Sequence, residues 1–329
     1  MPMKKVAIYG TLGPACADPR TLEGMLQEGM DGIRLNLSHT SLEAASTLLE
    51  AYREAASSCG VSPSLLIDMQ GPELRIGTLN EPVRLDAGER IAVDAVPFPS
   101  EVRNALTEGQ EILLDDGKIL LRTEENGLRV VRGGTLESRK SVALPGCSLH
   151  PSALTEADRE NIQTAVRFGV TAVMQPFVRS REDLIEVRGA LDRAGGKDVR
   201  LLAKIENTAG IDALQDLLPF CDEIVIARGD LGNAVPLWEL PAVQKRVAAI
   251  CREAGRDFMV VTQMLDSMTH RPVPTRAEVS DVFNAVLDGA ASVMLTGETA
   301  VGEYPIDSIR YLSKTVREAE AYLRARQSK

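Results

Sequence analysis

The feature that most limits how this chain can fold is an eightfold alternation of short aliphatic runs with longer amphipathic segments. The runs are rich in Val, Ile and Leu without a clean polar–apolar alternation, which is typical of strands buried on both faces of a parallel sheet. We predict strands at Val6–Tyr9, Gly32–Leu37, Leu65–Met69, Ala172–Pro176, Leu201–Ile205, Glu223–Ala227, Phe258–Thr262 and Ser292–Leu295. Eight strands alternating with eight helices favour an α/β fold, the (β/α)8 TIM barrel, over an open doubly wound sheet.

The segments between these runs carry the start and stop signals of helices. Asp18-Pro19 begins the first and Gly29 ends it, since a capping residue and proline favour a helix start and glycine a helix end. Further helices are predicted at Ser41–Ser58, Thr155–Phe168, Ser180–Ala194, Gly210–Leu218, Glu239–Ala254, Thr275–Leu287 and Pro305–Ala325. No strand is followed by a G-x-G-x-x-G pattern, which argues against a dinucleotide-binding Rossmann fold.

One stretch interrupts this rhythm between the third and fourth predicted strands. From Gly77 to Pro145 the segments are short and alternating, and turns such as Glu125-Asn126-Gly127 separate them. Short strands are expected at Val83–Leu85, Arg90–Val93, Glu111–Leu114, Ile119–Arg122, Leu128–Arg132 and Ser141–Leu144. We therefore expect a barrel domain at 1–76 and 146–329, and a small β domain at 77–145 inserted after the third strand as a lid.

The balance of charge limits the partners of the chain. It has 47 acidic and 37 basic residues, a formal net charge of −10, which disfavours non-specific binding to nucleic acid or to an anionic membrane. No apolar run approaches the about 18–20 residues of a membrane span, and the N-terminus lacks the apolar stretch of a signal peptide. With five scattered cysteines and no CxxC pair, the sequence predicts a cytoplasmic protein with reduced thiols.

Charged residues follow the predicted strands at their C-terminal ends, where the active sites of TIM barrels lie. Glu206 and Asp230 offer carboxylate oxygens on adjacent strands, as Mg²⁺ prefers. Lys204 has the same parity as Glu206, so both should face the barrel interior, where a lysine would neutralise charge that develops in phosphoryl transfer. Arg34 offers a bidentate fork for phosphate or carboxylate, and the turn at 228–230 would present N–H groups to a carboxylate if it leads into a helix.

Each of these residues taken alone has an ordinary structural explanation. A single lysine or arginine near a strand end is usually solvated, Asp68 alone would cap a turn, and Glu206 alone would be one partner of an ion pair. Together they cluster at one end of otherwise apolar strands, and burying so many charges without a ligand is costly. The cluster therefore favours a ligand site, whereas His39 fits a site contact and a packed loop histidine equally well.

Several motifs, in their order along the chain, resemble those of the pyruvate kinase family. They are Thr11–Ala15, Arg34–His39, Asp68–Arg75, Lys204–Asn207, Ala227–Gly232, Thr262–Met268, Pro274–Glu278 and Leu295–Thr299. The resemblance covers the barrel and, more weakly, the insertion. It implies a glycolytic phosphotransferase, dependent on Mg²⁺ or Mn²⁺, that converts phosphoenolpyruvate and ADP to pyruvate and ATP.

The same resemblance implies roles for individual residues. Glu206 and Asp230 correspond to ligands of the divalent metal, Lys204 to the residue that stabilises the transferring phosphoryl group, and Arg34 to a phosphate contact. The substrate carboxylate is expected at Gly229, Asp230 and Thr262. Thr262 is also implied to lie near the path of the proton to the enolate.

Two further sites are implied by the resemblance. A monovalent cation such as K⁺ is expected at Asn36, Ser38, Asp68 and the backbone carbonyl of Met69. The nucleotide is expected at His39, Arg75 and Lys140. Glu73 resembles potassium-dependent members of the family, whereas Gln70 and Ile76 resemble potassium-independent ones, so the requirement for K⁺ stays open.

Other positions depart from the pattern of the family. Pro176 replaces a serine close to the phosphate, and Val279 and Phe283 replace small residues in the helix after the seventh strand. We expect a homodimer through that helix, Thr275–Leu287. The insertion is shorter than the usual lid, and the sequence ends after the eighth helix, so control through the family's C-terminal domain is expected to be missing.

Two other functions fit the same residues. A metal-dependent lyase or aldolase would stabilise a pyruvate enolate and break a C–C bond without any nucleotide. A non-catalytic phosphoenolpyruvate sensor would act through a partner, although it has no need of a lysine that stabilises a transferring phosphoryl group. Binding and turnover of ADP distinguish both from a kinase.

Overall fold

The computed structural model describes residues 5–72, 74–115, 117–147 and 152–327. The chain divides into two compact units, a large one that includes residues 5–71 and 153–327, and a small one within 72–152. The small unit extends beyond the 77–145 segment that the sequence indicates, and its action as a lid stays a prediction. Glu73, on which the expected K⁺ requirement partly depends, lies outside the described residues.

The large unit is built on a closed barrel of eight parallel strands, which confirms the predicted fold class. The strands are β1 (Ala7–Thr11), β2 (Gly32–Asn36), β3 (Ser64–Asp68), β4 (Ala172–Gln175), β5 (Arg200–Ile205), β6 (Glu223–Ala227), β7 (Asp257–Val261) and β8 (Ser292–Met294). Each strand pairs with its neighbours in the sequence of barrel strands, and β1 closes the barrel against β8. All C-terminal strand ends therefore meet at one rim, where the residues predicted to bind the divalent metal and the substrate lie.

Helices follow the strands around the barrel. The longer ones are Pro19–Gln27, Ser46–Cys59, Glu156–Ala165, Arg181–Arg193, Leu240–Glu253, Arg276–Leu287 and Pro305–Gln327. Short helices at Arg228–Ala234 and Gly297–Ala300 follow β6 and β8 directly. Capping residues set the helix starts as the sequence indicates, for example Asp18, whose side chain accepts a hydrogen bond from Thr21 N, and Thr155, which forms a capping box with Asp158.

Two helix predictions were wrong in detail. The helix predicted from Ser41 begins only at Ser46, because the Ser41 hydroxyl accepts the Ala44 N–H and holds the preceding residues in turns. The helix predicted at Gly210–Leu218 is two short helices, Thr208–Asp212 and Leu214–Leu217. The first begins early because the Asn207 side chain caps it by accepting the Gly210 N–H.

The core of the barrel is aliphatic and follows the alternation of the strands. One set of buried side chains fills the interior: Tyr9, Leu66, Ala172, Met174, Leu202, Val225, Ala227, Met259, Val261 and Met294. Residues of opposite parity, such as Leu201 and Ala203, pack outward in the larger cluster shared with the helices. Because Lys204 follows Leu202 by two residues, it continues the inner row toward the C-terminal rim.

The small unit has its own sheets and its own apolar core. Its strands are Val83–Leu85, Arg90–Ile91, Glu111–Leu114, Ile119–Glu124, Gly127–Arg132, Gly134–Leu136 and Val142–Ala143. Five of them form an antiparallel sheet, and Val83–Leu85 pairs with Gly134–Leu136 in a second one. The prediction from sequence missed Gly134–Leu136 and the helix Ser100–Ala105, because both are too short to show a clear period.

Within the described parts of the chain, no helix combines the length and apolar character needed to cross a bilayer.

Candidate active site

Four charged side chains from three strand ends converge at the C-terminal rim. Asp68, at the end of β3, accepts hydrogen bonds from Arg34 Nε at 2.8 Å and from Lys204 Nζ at 3.1 Å. Arg34 Nη2 also lies 2.6 Å from Asp68 Oδ2. Lys204 Nζ lies 2.9 Å from Oε1 of Glu206, so one ammonium group bridges two carboxylates. The strand order brings the four together, because β2 pairs with β3 and a single strand, β4, separates β3 from β5.

Burial makes these charges interact strongly. The Asp68 and Glu206 side chains are almost completely buried, and those of Arg34 and Lys204 are 12% exposed. Burial alone would raise the pKa of Asp68, but the positive charges of Lys204 and Arg34 outweigh it and lower this pKa below its ordinary value. Burial disfavours the Lys204 ammonium, yet Asp68 and Glu206 raise the pKa of Lys204, so it stays charged at neutral pH.

Glu206 is the group in this cluster whose charge is least compensated. Burial raises its pKa to about 7, and although Lys204 opposes this shift, the negative charges of Asp230 and Asp68 add to it. Its Oε2 accepts the Phe177 N–H at 2.7 Å, and Phe177 has a positive φ of 52°. Its Oε1 accepts no hydrogen bond of normal geometry from any described residue and lies 2.9 Å from the Lys204 ammonium.

This arrangement fits a divalent cation. A buried carboxylate oxygen without a hydrogen bond, next to a second carboxylate that raises its pKa, is a place where a cation lowers the electrostatic energy. Asp230 is half-buried in the first turn of the helix Arg228–Ala234. Among the described residues no group of three or more His, Cys, Asp or Glu side chains is arranged to hold a metal. Glu206 and Asp230 would therefore need water and substrate oxygens to complete the shell, as Mg²⁺ commonly does.

The turn between β6 and its helix meets the end of β7. Gly229 N donates a hydrogen bond to Thr262 Oγ1 at 2.8 Å, and the Thr262 hydroxyl donates to the Val261 carbonyl at 2.6 Å. Gly229 is exposed, and a Cβ added there would be in ordinary van der Waals contact with the Thr262 side chain at 3.7 Å. Three of the predicted substrate-binding residues, Gly229, Asp230 and Thr262, thus lie together, and the helix expected after the turn is present.

The residues expected to bind a monovalent cation lie at the ends of β2 and β3. Asn36 and Asp68 are register partners, and Asn36 Oδ1 accepts the Ser38 N–H at 3.2 Å. Met69 is buried, while Asn36 and Ser38 are half-buried. The Asp68 carboxylate in this arrangement already faces two cationic side chains, so a cation bound there would compete with or displace one of them.

The expected nucleotide residues fall in different units. His39 is exposed in the barrel unit. Arg75 and Lys140 lie on adjacent segments of the small unit, where Ile76 N donates to the Lys140 carbonyl at 2.9 Å. The Lys140 ammonium pairs with Asp115 at 3.1 Å and with Glu137 at 3.2 Å, which raises its pKa.

Two buried carboxylates stabilise the loops of the rim, a role that was not predicted for either of them from the sequence. Asp158 accepts the N–H groups of Gln70 at 2.7 Å and Gly71 at 2.9 Å, just after β3. Glu298 accepts the Leu265 N–H at 3.0 Å and the Thr296 N–H at 2.7 Å, tying the loops after β7 and β8 together. The Thr155–Asp158 capping pattern was visible in the sequence, but its second role depends on tertiary contacts.

A cavity of about 560 Å³ lies near the opposite, N-terminal ends of β5 and β7. Its lining includes the basic residues Arg188, Lys197, Arg200 and Arg256. Asp192, Asp198 and Asp222 lie among them, and Arg188 pairs with Asp222 at 3.4 Å. The positive charges are therefore largely offset within the lining, and this cavity is a weaker candidate than the rim.

Comparison with known proteins points to one family, both by a family model and by individual relatives. The family model for the pyruvate kinase barrel domain matches residues 3–309. A pyruvate kinase from Sporosarcina psychrophila is 36% identical over 97% of this chain and 58% of its own length. Pyruvate kinases from Corynebacterium efficiens and Geobacillus stearothermophilus are 40% and 34% identical over 96% and 98% of this chain. The chain spans 70% and 58% of the lengths of these two relatives.

Proposed function

The chain belongs to the pyruvate kinase family, and on that basis we propose that it transfers the phosphoryl group of phosphoenolpyruvate to ADP. The observation that carries the proposal is the buried Lys204 ammonium held between Asp68 and Glu206 at the C-terminal rim. In the reaction the phosphorus–oxygen bond of phosphoenolpyruvate breaks, a terminal oxygen of ADP forms the new bond, and the enolate left behind takes a proton at carbon to give pyruvate.

Glu206 and Asp230 would hold the divalent ion, Mg²⁺ or Mn²⁺. When bound, such an ion neutralises charge on the phosphoryl and enolate oxygens. Support comes from the raised pKa of Glu206, which burial and the neighbouring Asp230 cause, and from the buried Oε1 that lacks a normal hydrogen bond. K⁺ would occupy the region of Asn36, Ser38, Asp68 and Met69 if the protein requires it.

The chain's own side chains would orient and stabilise the reacting groups. Lys204 stays protonated and would balance the negative charge on the phosphoryl oxygens as they transfer. Arg34, fixed by its ion pair with Asp68, would contact the phosphate through its remaining N–H donors. Gly229 and Asp230 in the first turn of a helix, with Thr262 beside them, would receive the substrate carboxylate, and the Thr262 hydroxyl would sit near the proton path.

Nucleotide contacts are proposed for His39, Arg75 and Lys140. The Lys140 ammonium is positively charged, and a nucleotide phosphate would take the place of its acidic partners.

We also propose a cytoplasmic location, which fits the five free cysteines. Three of them, Cys16, Cys221 and Cys251, are buried, and this burial raises the pKa of each thiol.

The test is formation of pyruvate and ATP from phosphoenolpyruvate, ADP and Mg²⁺. We expect equal amounts of the two products and no pyruvate when ADP is omitted. Pyruvate formed from a larger 2-oxo acid without ADP would support the lyase alternative instead. Metal-dependent binding of phosphoenolpyruvate by calorimetry without any turnover would support the sensor.

The apparent affinity for the divalent ion should depend on pH around neutrality. Because the pKa of Glu206 is raised to about 7 and only the ionised carboxylate binds metal, protons compete below that pH. We expect the dissociation constant for Mn²⁺, measured by calorimetry, to be constant above about pH 8 and to rise about tenfold per unit well below pH 7. An affinity independent of pH from about 5.5 to 8.5 would exclude Glu206 as a ligand with this pKa.

We further propose that the chain forms a homodimer through Arg276–Leu287. Phe283 packs on Tyr322 with ring centroids 5.7 Å apart, and Tyr322 is 47% exposed beside that helix. Light scattering at micromolar concentration should give twice the chain mass, and Val279→Glu should give a monomer. Ile185→Glu, on the helix Arg181–Arg193, is the control and should stay dimeric. A monomeric parent chain would refute this interface.

A further inference from the structure

The turn after β7 holds two consecutive residues in the left-handed region of backbone space. Thr262 has a φ of 69° and Gln263 a φ of 51°. This conformation is unfavourable for residues with a Cβ, and most of all for a β-branched residue such as threonine. Such strained residues persist only where the surroundings enforce the conformation, often at functional sites.

Arg228 is the side chain that enforces this turn. Its Nε and Nη2 donate to the Thr262 carbonyl at 3.1 and 2.8 Å, and Nη2 also donates to the Gln263 carbonyl at 3.1 Å. Its Nη1 donates to Asp281 Oδ2 at 2.6 Å, which fixes the plane of the guanidinium. The Arg228 side chain is only 10% exposed, so water competes little for these bonds.

The backbone that Arg228 contacts also carries the Thr262 hydroxyl, which donates a hydrogen bond to the Val261 carbonyl at 2.6 Å. With the backbone held in this conformation, Thr262 Oγ1 accepts the Gly229 N–H at 2.8 Å. Arg228 and Gly229 are consecutive, so one short segment fixes the threonine from two sides. A lysine at 228 would carry the charge but has a single nitrogen, which cannot reach two carbonyl groups and Asp281 together in a planar fork.

We propose that Arg228 is a positioning residue for phosphoryl transfer, holding the Thr262 hydroxyl at the helix start through a guanidinium that Asp281 orients. The inference rests on the proposed function, because it depends on the role of Thr262 at the substrate. Arg228 donates hydrogen bonds to the Thr262 and Gln263 carbonyls, to Asp281 and to the Met264 sulfur. It acts on the reaction through Thr262. Asp281 lies on the helix Arg276–Leu287, so this contact also ties that helix to the active-site rim.

A double-mutant cycle tests whether Arg228 acts through Thr262. Arg228→Lys should lower kcat about 10–100-fold, as small misplacements of catalytic groups do, with the KM for ADP unchanged. Thr262→Ala should give a loss of similar size. In the Thr262→Ala background, Arg228→Lys should cause no further loss, because the group it positions is gone. Arg310, on the last helix, pairs with Asp307 of the same helix and with Glu28 after the first helix. Arg310→Lys should leave kcat unchanged in both backgrounds.

Losses that multiply in the double variant would overturn the proposal, as would a kcat equal to that of the parent in Arg228→Lys. If Arg228→Lys does not fold, Asp281→Asn replaces it in the cycle. Asp281→Asn should lower kcat by about threefold to tenfold in the parent and cause no further loss in the Thr262→Ala background.

A crystal structure of the same variant separates this inference from the proposed function, because it needs no turnover. In Arg228→Lys the Thr262 backbone should leave the left-handed region, or its hydroxyl should leave Gly229 N. Unchanged geometry would overturn the positioning role even in an active enzyme. If the parent makes no ATP but Thr262 moves as expected in the variant, the kinase proposal is refuted. The contact by which Arg228 positions Thr262 would still be supported.

Discussion

Lys204→Met should abolish phosphoryl transfer, lowering kcat by about 10³–10⁵-fold. That is the range in which a cation that stabilises a transferring phosphoryl group contributes to rate. Methionine matches the length of the lysine stem but leaves Asp68 and Glu206 without the ammonium that lies 3.1 and 2.9 Å from them. The rate of ATP formation at saturating phosphoenolpyruvate and ADP measures the loss. Mn²⁺ binding above about pH 8 should persist, because Glu206 and Asp230 are unchanged.

Lys245→Met is the matched control for this substitution. Lys245 also pairs with a carboxylate, Asp288 at 2.6 Å, but it is on the helix Leu240–Glu253 and is largely exposed. It should retain parental kcat. Breaking a buried pair costs about 3–5 kcal/mol of stability, so folding of the Lys204 variant must be verified by circular dichroism at the assay temperature. Equal turnover by folded Lys204→Met and the parent would refute the role of Lys204.

Glu206→Gln should remove metal-dependent turnover. Glutamine keeps an oxygen to accept the Phe177 N–H, so the loop after β4 should hold its place, but it lacks the charge that a divalent ion requires. Loss of groups that merely orient a ligand costs about 10–100-fold in metal affinity, so loss of the ligand itself should cost at least about 100-fold. Calorimetric titration with Mn²⁺ at about pH 8 measures the change.

Glu223→Gln controls for the loss of a buried glutamate. Glu223 begins β6 at the other end of the barrel, where it pairs with Arg200 at 2.6 Å and accepts a hydrogen bond from Ser292. This variant should lose stability yet bind Mn²⁺ with parental affinity. Unchanged Mn²⁺ affinity in Glu206→Gln would remove Glu206 from the metal site.

The barrel was predictable because its strands are marked locally. Runs such as Glu223–Ala227 are aliphatic on both faces, and the helix starts at Asp18 and Thr155 carry their caps within a few residues. The bounds of short helices and strands were not predictable, since they depend on contacts between residues far apart in the sequence. The late helix start at Ser46 is an example, because Asn161 accepts the Leu42 N–H and helps keep that segment in turns.

Lys204 and Glu206 could be placed on one face from the sequence alone, because they are two residues apart on a strand, and the two side chains do lie together. The pairing of Asp68 with both Arg34 and Lys204 needed the register of β2, β3 and β5, which a single sequence does not contain. The left-handed turn at Thr262 was equally hidden, because nothing in Thr262-Gln263 favours a positive φ, and Arg228 imposes it from another strand end. The roles of all these residues in a reaction stay predictions.

The most direct test is the initial rate of ATP formation from phosphoenolpyruvate, ADP and Mg²⁺, compared between the parent and Lys204→Met, with and without K⁺. We expect pyruvate and ATP in equal amounts from the parent under at least one cation condition, and no rate above background from the variant. A parent that makes no more ATP than Lys204→Met under either condition would contradict this expectation.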